Sequence, residues 1–218
     1  MSTESPLPTA QQPLVAVLVI EHVAHAVPMA EALLSGGIDQ LEVTLRTPSG
    51  LKAIAAIKEE VPLARVGAGT VCTPQQVHDA IAAGADFIVS PGATDALLET
   101  AAQQSVPFVP GAVTGSEVMR AMAFGFTTLK FFPAESSGGV AVLKAFSGPF
   151  PEVRFMPTGG ITLDKLHQYL SLDNVLAVGG SWLTPHSLIS DQNWEGIAQL
   201  AREAAAVTQS LRSGSAVA

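Results

Sequence analysis

The stretch "PTGGITLDKLHQYLSLDNVLAVGGSW", Pro157 to Trp182, holds one full unit of a pattern that recurs along the chain. A glycine turn is followed by a helical stretch, a short apolar run and a second glycine turn. Strand–helix alternation of this kind is shared by two architectures, the doubly wound open sheet and the closed (β/α)₈ barrel. The position of the glycines favours the barrel. "TGG" follows the seventh strand candidate and "GGS" the eighth, where many barrels bind phosphate.

Working outward, strand candidates begin at Val15, Leu41, Arg65, Phe87, Phe108, Thr128, Val153 and Val175. Between them lie helical patterns such as "HAVPMAEALLSGG", "PQQVHDAIAAGA" and "SEVMRAMAFGF", with apolar residues at three- and four-residue spacing. "TPQQ" at Thr73 and "TGSE" at Thr114 both fit capping boxes, the first with Pro74 at the first helical position. About eight units in some 200 residues suit closure. The first strand is followed by "EHVAHAVP", which has no dinucleotide glycine fingerprint. The expected fold is therefore α/β, a (β/α)₈ TIM barrel, with functional residues at the C-terminal ends of its strands.

The chain has 218 residues, of which 48% are hydrophobic, enough to bury a single large core. A formal net charge of −8, with scattered basic residues, argues against nucleic acid and anionic membranes as partners. "MSTESPLPTAQQP" lacks the basic and apolar regions of a signal peptide, and "LVAVLVI" (Leu14 to Ile20) is too short to span a bilayer. The one cysteine, Cys72, excludes an intramolecular disulfide and reads as a small buried hydrophobe. These features predict a cytoplasmic protein with a polar leader over 1–13, one barrel domain over 14–212 and a flexible small-residue tail over 213–218.

Polar residues on strand faces mark the site. In "LEVTLR", alternation puts Glu42, Thr44 and Arg46 on the face opposite Leu41, Val43 and Leu45. In a parallel barrel both faces are covered, so a carboxylate and a guanidinium would point inward. Two readings stand for this strand, an internal ion pair without function and a reactive site. The sixth strand, "TLKFF", bears on the choice. Of five lysines, Lys52, Lys58, Lys144 and Lys165 fall in helical stretches where a solvated head is expected, and only Lys130 falls in a strand. An amine taken out of water, here beside Phe132, is favoured in its neutral form, and a neutral amine attacks carbonyls. Glycine turns "VGAGT", "SPG", "PGAVT", "PTGG" and "GGSW" follow successive strands. Two of them on neighbouring strands, each before a helix start, would form a nest of N–H groups for a phosphate. No Walker motif is present, so a nucleoside triphosphate is not implied.

Taken together, "HAVPMAEALLSGGI", "LEVTLRT", "VGAGTV", "SPG", "LKFFPAE", "PTGGI" and "GGSWL" make the chain resemble the 2-keto-3-deoxy-6-phosphogluconate (KDPG) aldolases, from about Leu14 to the C-terminal helix. These are class I, pyruvate-forming aldolases of the Entner–Doudoroff pathway. The resemblance implies that Lys130 is the Schiff-base lysine and Glu42 the general acid/base. It implies that Arg46 and Thr70 hold the keto-acid carboxylate, and that Gly159, Gly160, Gly180 and Ser181 receive the substrate phosphate. Pro91 and Phe132 would line the pocket. Thr158 and Ser181 lean towards the gluconate substrate, because galactonate-type relatives tend to lack them. The partner implied is a phosphorylated keto acid, with no cofactor or metal, and the assembly implied is a homotrimer. Cleavage of 4-hydroxy-2-oxoglutarate is an implied second activity. The chain departs from the family at "IEHVAH", where several relatives carry a basic residue near Glu21, which bears on the finer substrate preference.

Three rivals remain at this point. One is a phosphogalactonate aldolase. Another is a phosphosugar isomerase or synthase barrel that uses Glu42 as base and Lys130 only to bind an anion. The third is a non-catalytic phosphate-ligand barrel. His22 and His25 are three apart and could share a helix face, but no third ligand follows at a metal-binding spacing. Glu135 reads as a residue that orders the loop after the sixth strand, and Trp182 and Trp194 read as packing residues.

Overall fold

Short β-branched runs and alanine-rich helices alternate because each strand needs both faces covered and each helix has one apolar stripe to bury. The computed structural model describes residues 13–215. Its strands are β1 (Leu14–Leu18), β2 (Gln40–Thr44), β3 (Arg65–Gly69), β4 (Phe87–Val89), β5 (Phe108–Val109), β6 (Thr128–Phe131), β7 (Arg154–Pro157) and β8 (Val178–Gly180). The intervening helices are α1 (Ala26–Ser35), α2 (Gly50–Glu60), α3 (Pro74–Ala82), α4 (Asp95–Ala102), α5 (Gly115–Ala123), α6 (Gly139–Phe146), α7 (Leu166–Leu170) and α8 (His186–Ser190). The last helix, α9 (Trp194–Ser215), packs against α1 and runs three residues into the stretch expected as tail. Residues 1–12, nearly all of the expected leader, lie outside the described residues, as do 216–218.

All strand pairs are parallel, in a six-stranded order β5-β4-β3-β2-β1-β8 and a β6-β7 pair. Single bridges join the two pieces into a ring: Gly111 with Lys130 on one side, Phe155 with Val175 and Thr158 with Gly179 on the other. The barrel expected from the sequence is the fold observed. β8 begins at Val178 rather than Val175, because pairing starts with the Val175 bridge, breaks, and resumes three residues later. Pro13 also takes part in the wall, its carbonyl accepting from the Val178 N–H at 2.9 Å.

Side-chain alternation divides the apolar interior in two. Outward residues such as Leu41, Val43, Val66, Ala68, Leu129, Phe131 and Phe155 meet the inner stripes of the helices in one continuous layer. Inward residues Val15, Phe87, Val89, Val109, Met156 and Ala177 form a separate plug. Helix starts follow the sequence signals with one difference. Thr114 and Glu117 make the complete capping box at α5. At α3 the Thr73 hydroxyl accepts from the Gln76 N–H, but the Gln76 side chain accepts from the Cys72 N–H instead of returning to the cap. No helix among the described residues is long and apolar enough to cross a membrane.

Candidate active site

β2 lies between β1 and β3, and its inward residues Gln40, Glu42 and Thr44 are all buried. Glu42 is 0% exposed, opposite Gly67 in the β3 register. Its carboxylate leans towards the strand ends, into space left by Gly69, where an added Cβ would lie 2.3 Å from Oε1. Glycine is required there by that close approach, a contact the sequence does not announce.

Lys130 reaches the same carboxylate from across the barrel. Its side chain is almost fully dry, the residue being 4% exposed, and Nζ donates to Glu42 Oε1 at 2.8 Å. Nζ also sits 5.2 Å from the centroid of the Phe132 ring, a cation–π distance. The backbone around it is tied to the extension of β5: Lys130 N–H donates to the Pro110 carbonyl at 2.8 Å, and its own carbonyl accepts from Ala112 N–H at 2.9 Å. The other carboxylate oxygen, Glu42 Oε2, is buried with no hydrogen-bond partner among the described residues, as is Thr158 Oγ1. The arrangement can hold a carbonyl compound against an amine, with a carboxylate alongside to accept and return protons.

Arg46 does not share the inward face expected for it. β2 ends at Thr44, and Arg46 stands exposed in the turn beyond, without a hydrogen bond or ion pair among the described residues. Hydroxyls of the same segment reach back to the end of β1 and the loop after it. Thr44 Oγ1 donates to the Leu18 carbonyl at 2.9 Å, Thr47 Oγ1 to Ile20 at 2.6 Å, and Ser49 Oγ to Glu21 at 2.7 Å. These three stitches hold the end of β2 and the loop after it against the end of β1 and its loop. Sequence reasoning missed them, although the hydroxyl-rich "TLRTPS" carried the signal. They fix the base of a free guanidinium at the open end of the barrel.

Thr70 follows β3 with φ 59°, in the left-handed region. For a β-branched residue this is a strained conformation, costing about 1–3 kcal/mol, and such strain gathers at ligand-holding sites. Pro91 is half-buried after β4, its backbone against Gly111. Cys72 is exposed, not buried as expected, because the chain has already left the barrel wall at Gly69. His22 and His25 stack edge to face at 5.4 Å, and His25 packs on Trp194 at 5.5 Å. No group of three or more possible metal-ligating side chains occurs among the described residues.

At the ends of β7 and β8, the Thr158–Gly179 bridge brings Thr158, Gly159 and Gly160 beside Gly180 and Ser181. Gly159 and Gly160 take φ values of 102° and 77°, a consecutive left-handed pair that only glycine adopts without strain. The helices that follow, α7 and α8, have five residues each, so an anion nest here relies on the turn N–H groups more than on helix ends. Glu135, in the loop after β6, is bound by Lys165 Nζ and by the buried Tyr169 hydroxyl. Lys165 first, then Tyr169, holds the Glu135 carboxyl below the usual carboxylate range, while burial and then Glu135 push the Tyr169 phenol up.

The model of the family described as KDPG and KHG aldolase matches residues 8–200. A 2-dehydro-3-deoxy-phosphogluconate aldolase of Dickeya dadantii is 51% identical over 194 residues, covering 89% of this chain and 91% of that one. A KHG/KDPG aldolase of Escherichia coli strain K12 is 50% identical over 203 residues, covering 93% and 94%. Among solved structures, a KDPG aldolase from Legionella pneumophila, with pyruvate captured as a covalent carbinolamine, superposes with a TM-score of 0.88. It is 46% identical over 90% of this chain and 96% of its own.

Proposed function

The chain belongs to the KDPG and KHG aldolase family and is a carbon–carbon lyase acting through a Schiff base, and from that premise we propose that Lys130 is the lysine concerned. The reaction is cleavage of 2-dehydro-3-deoxy-6-phosphogluconate to pyruvate and glyceraldehyde 3-phosphate. One observation carries the assignment: a desolvated amine donates at 2.8 Å to a carboxylate buried inside the barrel.

Transfer of a proton from Lys130 Nζ to Glu42 leaves the amine neutral; its lone pair attacks the C2 ketone, and a proton then passes from that nitrogen to the alkoxide to give the neutral carbinolamine. Glu42 returns that proton to the carbinolamine hydroxyl, which leaves as water and yields the iminium. As carboxylate, Glu42 then accepts the C4 hydroxyl proton, directly or through a water, while the C3–C4 electron pair moves into the iminium. Glyceraldehyde 3-phosphate departs, and the enamine is protonated at C3 and hydrolysed to pyruvate. Arg46 and Thr70 hold the substrate carboxylate so that C2 faces Nζ, which is catalysis by orientation. Gly159, Gly160, Gly180 and Ser181 receive the phosphate, and Pro91, Phe132 and Thr158 line the pocket between the two ends. Thr158 and Ser181 favour the gluconate over the galactonate substrate. Cleavage of 4-hydroxy-2-oxoglutarate to pyruvate and glyoxylate uses the same keto-acid end. By resemblance to the family, residues 14–212 form one catalytic domain, assembled as a cytoplasmic homotrimer.

Borohydride reduction in the presence of pyruvate tests the assignment. Mass spectrometry should place a pyruvate-derived adduct on Lys130, absent from Lys130→Ala, which should also lose cleavage entirely. An unmodified wild-type chain, or an adduct on another lysine, would overturn it.

A further inference from the structure

We propose that Glu135 is a positioning residue that sets the phosphate end of the site without taking part in the carbon chemistry. The inference rests on the assignment of Gly159 and Gly160 to the phosphate. Three observations in the loop after β6 support it. The first is backbone: Ala134 N–H donates to the Thr158 carbonyl at 2.8 Å and Glu135 N–H to the Gly159 carbonyl at 3.1 Å, so the two loops are laced together. The second is packing on both flanks of the glycine turn. A Cβ at Gly159 would lie 3.2 Å from the Phe132 ring, and one at Gly160 would lie 2.9 Å from Glu135 Cβ and Cγ. The turn is thus held between two side chains of one neighbouring loop.

The third observation is how Glu135 itself is held. Both carboxylate oxygens are taken, Oε1 by Tyr169 and Oε2 by Lys165. Tyr169 belongs to α7 and is 1% exposed, and Lys165 stands immediately before α7. Glu135 therefore ties the β6 loop to the helix that follows the glycine turn, closing a loop of contacts around Gly159 and Gly160. A bare carboxylate beside a phosphate site would repel the ligand, and the Lys165 ammonium neutralises it. Lys130 is held independently, by its own strand bonds and by Glu42. Loosening Glu135 should therefore widen the anion nest and leave the amine where it is.

The test compares the phosphorylated substrate with 4-hydroxy-2-oxoglutarate, which has no phosphate. Glu135→Ala removes both the anchor and the contact on Gly160. It should raise KM for the phosphorylated substrate about tenfold, with kcat little changed, and lower the kcat/KM ratio of the two substrates by a similar factor. Glu135→Gln keeps the volume and an acceptor for Tyr169, so it should restore that ratio to within about threefold of wild type. Lys165→Met, a change at a half-exposed side chain that keeps the fold, should shift the ratio in the same direction as Glu135→Ala, by a smaller factor. Equal losses on both substrates, an unchanged ratio, a lowered KM for the phosphorylated substrate, or no rescue by glutamine would each overturn the proposal. A wild-type enzyme that cleaves neither substrate overturns the functional reading as well. An active wild type whose variants keep its ratio overturns this inference alone.

Discussion

Two glutamate–lysine pairs in this molecule, Glu42 with Lys130 and Glu135 with Lys165, use the same residue types in opposite surroundings. The first is sealed inside the barrel, with side chains 0% and 5% exposed, and one carboxylate oxygen has no hydrogen-bond partner among the described residues. The second stands at the rim, with side chains about a third exposed, and both carboxylate oxygens are bonded. Desolvating two charges is costly unless every remaining lone pair is satisfied. The inner pair retains that cost and keeps an open acceptor, as chemistry on a bound substrate requires. The outer pair is complete, and completeness suits a joint. The inner pair is set apart by its depth, both members lying dry inside the barrel where a carbonyl compound would meet the amine.

The comparison can be broken most directly at the inner carboxylate. Glu42→Gln keeps the shape but removes the proton acceptor, and cleavage measured by coupled detection of pyruvate should fall about 10²–10⁴-fold. Thermal stability should hold or fall, because the amide leaves the buried Lys130 ammonium without its counter-charge. Retained activity would mean that the pair is structural after all.

A milder change acts on the geometry. Gly69→Ala places a methyl where Glu42 Oε1 now sits, so the carboxylate must move off the amine. The expected results are a loss of about tenfold or more in kcat/KM and destabilisation of about 1–3 kcal/mol in denaturant unfolding. A variant with wild-type rates would show that the observed Glu42 position is not the productive one.

The smallest effect should come from giving the outer pair the defect of the inner one. Tyr169→Phe leaves Glu135 Oε1 without its phenol donor. Because that carboxylate is partly exposed, water takes over, and unfolding should show a loss of about 1 kcal/mol or less. A loss several times larger would show that the rim network is a buried core element rather than a surface joint.

Much of this was legible in the sequence, though unevenly. Lys130 could be found because a lysine in a period-two apolar run stands out when the other four lie in helical stretches. Its meeting with Glu42 could be expected from the fold class, since inward residues of barrel strands share one interior. Arg46 was misplaced on that interior face because alternation was extended two residues beyond Thr44. Periodicity cannot show where the strand gives way to a turn. Cys72 was read as buried because a free cysteine usually packs as a small hydrophobe, but the chain had already left the wall at Gly69.

The amino-acid order alone determined the alternation of strands and helices, the inward face of each strand, and the glycines at the strand ends. These follow from local periodicity and from the backbone freedom of single residues. Only the folded barrel decided that Glu42 leans over Gly69, that Thr70 takes a left-handed conformation, and that Lys130 and Glu42, 88 residues apart, meet with one oxygen left over. Such features depend on register between strands distant along the chain and on space that remains after packing. Neither quantity is a property of any short segment.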